Sequence, residues 1–411
     1  MRIAIDLRPL QIGHEHRGIG AYLINILSRM PRSADNHYIF YQFDINDPLE
    51  DHKIEKPESY ELIKIPKPVW RRSLIDLIKY VKTGLYPGFP KLASSKPDVF
   101  LQPDFQLGVP KVRSCRKFVV MYDLIPIILS DHYMPSWKKP LFNPRYRWYT
   151  KLIVAAKKLY HQERYLKNLR RLRKASEILS ISQTTTDDIH QHLGISKSKI
   201  ATIPLAASFR KAEGGQAIRQ ELVEKLSQFK RPYIAYIGGT DARRKIDELI
   251  YAFNILNARG TSLDLVLAGN EFQEVNLVPS VEARNAIIAS SYKKHIHLLG
   301  FLSEAEKEYI LMHAAAFVYP TLYEGFGLPI LEAMQAGCPV VAFNNSSIPE
   351  VGGTAIAYAP TQDRKGIQQA ILDVINNTPA TKLMVKKGLA QAAKFNWDKS
   401  AEQTWQTILR V

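Results

Sequence analysis

Two cysteines, Cys115 and Cys338, are all that the 411 residues contain. That count excludes a disulfide framework and a cysteine-rich metal site. Both thiols read as small buried apolar groups of a reducing compartment. Long hydrophobic runs are missing as well. No stretch reaches about 18 uninterrupted apolar residues, so no transmembrane helix is expected. The apolar run within Met1-Arg2-Ile3-Ala4-Ile5-Asp6-Leu7-Arg8 is too short for a signal-peptide core. The expected location is the cytoplasm, with peripheral attachment to an inner membrane face as its extension. No cluster of His, Asp and Cys has metal-ligand spacing, and no Asp-x-Asp stands at a strand end. The expectation is therefore no metal and no cofactor. Acidic residues are the scarcer charge: 39 Asp and Glu face 56 Lys and Arg, for a formal net charge of +17. Such a balance calls for an anionic partner.

What is present is an ordinary globular composition, 46% hydrophobic. Short apolar runs alternate with helical patterns, which argues for parallel α/β units. In the first half the runs are 3–7, 38–43, 99–101, 118–121 and 178–181. In the second half they are 233–237, 263–268, 296–299, 317–319, 340–343 and 356–358. Two sets imply two Rossmann-like domains. The boundary is expected between Ile203 and Arg231, where Pro204 follows a short strand and Gly214-Gly215 breaks the chain. The reading is a first domain over 1–205, a second over 206–395, and a final helix over 396–411 packing back toward the first.

Four stretches carry candidate chemistry. In residues 317–343, a strand ending at Pro320 leads into Thr321-Leu322-Tyr323-Glu324-Gly325-Phe326-Gly327. Pro329 suits the first turn of the following helix and Gly337 its C-terminal end. The loop thus lies at the C-terminal end of a parallel strand, where open α/β sheets bind ligands. A helix N-terminus there favours anions, and the glycines let the backbone approach a ligand closely. Glu324 and Glu332, eight apart, would mean little as a bare pair, since a glutamate near a helix start also complements the dipole. The second stretch is Tyr236-Ile237-Gly238-Gly239-Thr240-Asp241-Ala242-Arg243-Arg244-Lys245, a glycine loop with three cations before a helix starting near Ile246. An arginine fork and a lysine suit a diphosphate. The third, Arg17-Gly18-Ile19-Gly20-Ala21-Tyr22, follows the first strand; the fourth is Met121-Tyr122-Asp123-Leu124-Ile125-Pro126. Alone, each of these is also consistent with a structural turn.

Together, Glu324 to Glu332 inside Glu-Gly-Phe-Gly-Leu-Pro-x-x-Glu-Ala, with Ile348-Pro349-Glu350-Val351-Gly352-Gly353, resemble the retaining glycosyltransferases of family 4. The order of elements resembles that family along nearly the whole chain. The resemblance implies the GT-B fold, an α/β architecture of two Rossmann-like domains facing each other across a deep cleft. It implies a nucleotide-sugar-binding second domain and an acceptor-binding first domain. Glu324 would meet the hydroxyls of the transferred sugar. Gly325, Phe326, Gly327 and Leu328 would face sugar and diphosphate, and Glu332 the ribose hydroxyls. Gly300-Phe301-Leu302 would support the nucleobase. Arg244 and Lys245 match the family's phosphate-binding pair, while Gly239 replaces an arginine common there, with Arg243 as its candidate substitute. Gly18 and Gly20 match the first-domain glycine loop. Asp123 matches a His-Asp-Leu position, but Tyr122 stands where the histidine would be and has no titration near neutral pH. Glu324, Arg244, Lys245 and Asp123 are the candidate catalytic residues. The expected activity is metal-independent, retaining transfer of a hexose to a glycan or lipid-linked acceptor. GDP-mannose is the favoured donor and a UDP-sugar the alternative; a nucleotide-sugar epimerase is the rival enzyme.

The charge is uneven. From Ser136 to Ser176 there are 13 Lys and Arg and one acid, Glu163. A helix from Tyr146 to Leu169 is expected, with Trp148, Leu152, Ala155, Leu159 and Leu166 as an apolar stripe. A second basic segment runs from Val69 through Arg71, Arg72 and Ile75 to Val81. Basic amphipathic helices suit an anionic membrane surface. No nucleic-acid module with interleaved aromatics is present, so nucleic acid is not an expected partner.

Overall fold

The computed structural model describes residues 1–14, 18–67, 92, 94–110, 115–134, 148–207 and 218–410. Arg17, the basic segment 69–81, residues 146–147 and Gly214-Gly215 lie outside them. The chain forms two compact units: Met1–Pro204 with Trp397–Val411, and Leu205–Asn396.

The first unit is built on a seven-stranded sheet. Its strands are β1 (Arg2–Asp6), β2 (His37–Phe43), β3 (Tyr60–Ile65), β4 (Val99–Gln102), β5 (Arg116–Met121), β6 (Glu177–Ser180) and β7 (Ile200–Thr202). They lie in the order β3-β2-β1-β4-β5-β6-β7, every neighbour parallel. The second unit has six strands: β8 (Tyr233–Ile237), β9 (Asp264–Ala268), β10 (Ile296–Leu298), β11 (Ala316–Tyr319), β12 (Val340–Phe343) and β13 (Ala357–Ala359). Their order is β10-β9-β8-β11-β12-β13, again all parallel. Parallel strands with helices on both faces are buried on both faces, which is why they read as unbroken apolar runs. All five residues of β9 are buried, Asp264 included.

β3 falls outside the sequence expectation. Its Tyr60-Glu61-Leu62-Ile63-Lys64-Ile65 admits two charged residues because it is an edge strand, with Tyr60 and Lys64 exposed. In each unit the strand order reverses once, between β1 and β4 and between β8 and β11. Those switch points leave a crevice at the carboxyl ends of the strands.

The helix Trp397–Leu409 completes the first unit. Trp405 is buried, donates from Nε1 to Ile26 O at 3.1 Å and meets Tyr38 edge-on at 6.2 Å. Tyr22 Oη and Thr404 Oγ1 lie 3.3 Å apart, and Ser400 Oγ donates to Pro204 O at 2.6 Å. The long helix Trp148–Leu172 turns Leu169 and Leu172 into an apolar cluster with Tyr165 and Leu166 packed beside them. Leu159, of the expected apolar stripe, is exposed, and Ala155 is buried. Lys167, Arg170, Arg173 and Lys174 face solvent. Among the described residues no helix is long and apolar enough to cross a membrane.

Candidate functional site

The switch point of the second unit joins the loops after β8 and β11. β11 is fully buried and Thr321 follows its terminal proline with no exposure. Leu322 N donates to Arg243 O at 2.8 Å, tying one loop to the other. Glu324, nearly buried, accepts from Thr321 Oγ1 at 2.8 Å. Its Oε1 forms an ion pair with Arg244, and its Oε2 lies 3.6 Å from Arg243 Nη2. The Arg244 guanidinium sits 5.0 Å above the Tyr319 ring, a cation–π contact that fixes its plane. Thus Glu324, Arg243 and Arg244 come together, although 80 residues of chain separate them in sequence.

The β11 loop is shaped from a third loop. Ser347 Oγ is placed to donate to Glu324 O (2.9 Å) or Phe326 O (2.7 Å), and Glu324 N donates to Ser346 Oγ at 2.9 Å. Asn345 Nδ2 donates to Thr321 O at 2.9 Å. These residues follow β12. Sequence reasoning missed them, and the only available signal was the small polar run Asn344-Asn345-Ser346-Ser347 after a buried strand. Gly327 holds φ +111°, a left-handed conformation that favours glycine, and opens the helix Leu328–Gln335. Phe326 turns its ring inward against Phe395 at 5.6 Å, leaving its backbone to the loop. Glu332 lies in the helix and pairs with Lys307 Nζ at 3.1 Å; Lys307 also holds Glu304 at 2.9 Å. Burial pushes the Glu332 carboxyl above its ordinary range and Lys307 opposes that shift. Lys307, another residue sequence reasoning missed, keeps a charged partner at hand.

In the β8 loop, Asp241 Oδ1 accepts from Arg243 N at 3.2 Å and starts the turn Ala242–Arg244. Lys245 is left-handed at φ +48° and precedes the helix Ile246–Ala258; its Nζ lies 3.5 Å from Asp247 Oδ2. Thr240 donates to Glu271 Oε2 through N and Oγ1, at 2.5 and 2.6 Å. A Cβ at Gly239 would lie 3.4 Å from that oxygen, so Glu271 borders Gly239. Gly300, Phe301 and Leu302 follow β10. Gly300 O accepts from Gly269 N at 2.7 Å, Leu302 is buried and the Phe301 ring is exposed. A cavity of about 700 Å³ opens there, lined by Gly300, Phe301, Gln273 and Arg219 among others. Arg219 donates to Phe301 O at 3.1 Å and pairs with Glu306 at 2.5 Å.

In the first unit, Gly18 and Gly20 open the helix Gly18–Leu27, and Gly20 N donates to His14 O at 3.1 Å. Asp123 Oδ1 accepts from Ile125 N at 3.0 Å, which is a turn-capping contact. Tyr122 meets Tyr22 edge-on at 6.2 Å, and burial raises its phenol well above the ordinary range. Sequence reasoning passed over a charged group at the ends of β1 and β4. Arg8 and Asp6 are fully buried and joined by hydrogen bonds from Arg8 N to Oδ1 at 3.1 Å, Nε to Oδ1 at 2.8 Å and Nη2 to Oδ2 at 2.7 Å. Asp104 is buried nearby, and burial lifts its carboxyl from 3.8 to about 6, with Asp6 adding to the rise and Arg8 opposing it. Because the folded pKa is raised, the native state binds more protons than the unfolded chain between about pH 4 and 6. Stability from this group is present below that window and lost as pH rises through it. Asp104→Asn, whose amide oxygen still accepts from Gln106 N, should therefore stabilise the unit at pH 7.5 by on the order of 2 kcal/mol and leave it unchanged near pH 4. Denaturant melts at both values check this; an equal shift at both refutes it.

The architecture is that of the GT-B fold. Over 99% of both chains it superposes on the crystal structure of Anabaena HepE in complex with UDP and glucose, with a TM-score of 0.65 and 17% identity. Residues 218–391, within the second unit, match the family model Glycosyl transferases group 1. Among curated relatives, the O-antigen chain mannosyltransferase B of Escherichia coli is 32% identical over 231 residues, 56% of this chain and 59% of that one. The serotype-specific mannosyltransferase WbdA of Escherichia coli is 26% identical over 298 residues, 71% of this chain and 33% of that one. The chain thus spans 59% and 33% of the length of these two relatives. Among the described residues no group of three or more His, Cys, Asp or Glu is placed to hold a metal ion.

Proposed function

We propose that the protein is a retaining glycosyltransferase that moves a hexose from a nucleotide diphosphate-sugar to a glycan or lipid-linked acceptor. The observation that carries this reading is the Glu324 carboxylate set against Arg243 and Arg244 at the switch point, beside the N-terminus of Leu328–Gln335. The diphosphate lies over Arg243, Arg244 and Lys245, with the helix start adding partial positive charge. Glu332, paired with Lys307, accepts hydrogen bonds from the vicinal ribose hydroxyls. The bond from the anomeric carbon to the phosphate oxygen breaks as the acceptor oxygen attacks from the same face. The departing phosphate oxygen takes the acceptor proton. Charge growing on the diphosphate is met by preorganised cations, which is transition-state electrostatics. No metal or other cofactor is assigned.

Mannose is the favoured sugar, supported by the names of the two curated relatives. A UDP-sugar is the second reading, supported by the UDP held by the HepE fold neighbour. The exposed cations of the helix Trp148–Leu172 support peripheral contact with an anionic membrane carrying the acceptor. Incubation with GDP-mannose, UDP-glucose and UDP-N-acetylglucosamine, with lipid-linked and soluble acceptors, tests the set. The expected product is an α-linked mannoside on a lipid-linked acceptor, with the enzyme pelleting on anionic vesicles at low salt. An epimerised free nucleotide sugar, or no transfer from any donor, refutes the activity; absence of pelleting refutes the membrane contact.

A further inference from the structure

Glu324 pairs with both Arg243 and Arg244. Its side chain is 9% exposed, and those of Arg243 and Arg244 are 14% and 16% exposed. Thr321 Oγ1 anchors the carboxylate and the Tyr319 ring anchors one guanidinium. Water screens a cluster of this kind weakly. Arg243 also lies 3.5 Å from Asp241 Oδ1, so the loss of Glu324 bears mainly on Arg244; a buried cation that loses its counter-ion is costly, and the carboxylate leaves when other negative charge replaces it.

We propose that Glu324 is an internal competitor for the two guanidiniums, and so sets the anionic charge a ligand must bring to occupy them. The inference rests on reading this loop as the diphosphate site. A diphosphate satisfies the demand, since it offers several charged oxygens to two planar forks. Its arrival releases the Glu324 carboxylate, whose lone pairs then become available to hydroxyls on the ligand. The residue thus has two exclusive states, paired with arginine before binding and turned to the sugar afterwards. A neutral glycan cannot make the exchange, because it brings no charge to leave with the arginines.

Two opposite signs separate this role from mere orientation of the arginines. Titration calorimetry of wild type, Glu324→Gln and Thr321→Val with GDP, UDP and inorganic pyrophosphate reads the sign. Removing the internal charge should tighten diphosphate binding roughly fivefold or more. Thr321→Val keeps the charge but loosens its anchor, and should tighten binding to a smaller extent. Melting curves establish that each variant is folded, and the second variant decides the matter if the first is not. Equal or weaker binding by the folded variants overturns the proposal while the site reading stands. A wild-type protein that binds none of the three ligands overturns the site reading itself.

Discussion

Glu324→Ala should lower sugar transfer by roughly a thousandfold with the donor that serves the wild type. The expected loss follows from how many contacts converge on one carboxylate. Arg244, Arg243 and Thr321 all meet it, and its own backbone is held by Ser346 and Ser347. Alanine removes the acceptor for the sugar hydroxyls and takes away a carboxylate that pairs with both guanidiniums. Initial rates at saturating donor isolate the chemical step, and a melting curve shows that the variant is folded, at a lowered stability because a buried carboxylate beside two arginines is gone. Activity within a few-fold of wild type would remove Glu324 from the reacting centre. The outcome differs in kind from that of Glu324→Gln, where tighter diphosphate binding accompanies lost transfer.

Trp405→Ala is the second large effect, this time on stability. The indole is buried, packs on Tyr38 and uses its N–H on Ile26 O. Truncating a buried tryptophan costs about 3–5 kcal/mol through lost burial and a residual cavity. For a unit of this size that lowers the melting temperature by roughly 6–20 °C. Trp405→Phe, which retains ring packing but not the donor, should lose about a third of that. Calorimetry should show the loss in the transition of the first unit. A shift under 2 °C would mean that this helix contributes little to the unit it joins.

Much of this fold is legible because parallel strands are simple in sequence. A strand covered on both faces, such as β9 or β11, has no reason to alternate and stands out as an apolar block. β3 does not, since Glu61 and Lys64 interrupt it, Lys64 on the exposed face of an edge strand and Glu61 on the face of Ile63 and Ile65. The glutamates and glycines of the β11 loop are legible because their spacing within one segment carries the geometry. Ser347, Lys307 and Glu271 are not, because each reaches its place from a separate loop or helix through tertiary packing. The Arg8–Asp6 pair was in plain view after β1, yet nothing local says that such charges end with no exposure. Arg243 shows an intermediate case. Its place among the cations is visible in sequence, whereas its carbonyl's grip on Leu322 N belongs to the fold alone.

The return of Trp397–Leu409 to the first unit bears on how the chain is made. Residues Leu205–Asn396 emerge during synthesis before the first unit has its last helix. The second unit can therefore close its own core while the first still lacks Trp405 and exposes the apolar face around Tyr38 and Ile26. Domains generally fold as units and from the N-terminus onward during synthesis. Here the order is inverted: the half that begins first is finished last, and a nascent chain halted after Asn396 would carry an incomplete first unit for a chaperone to cover.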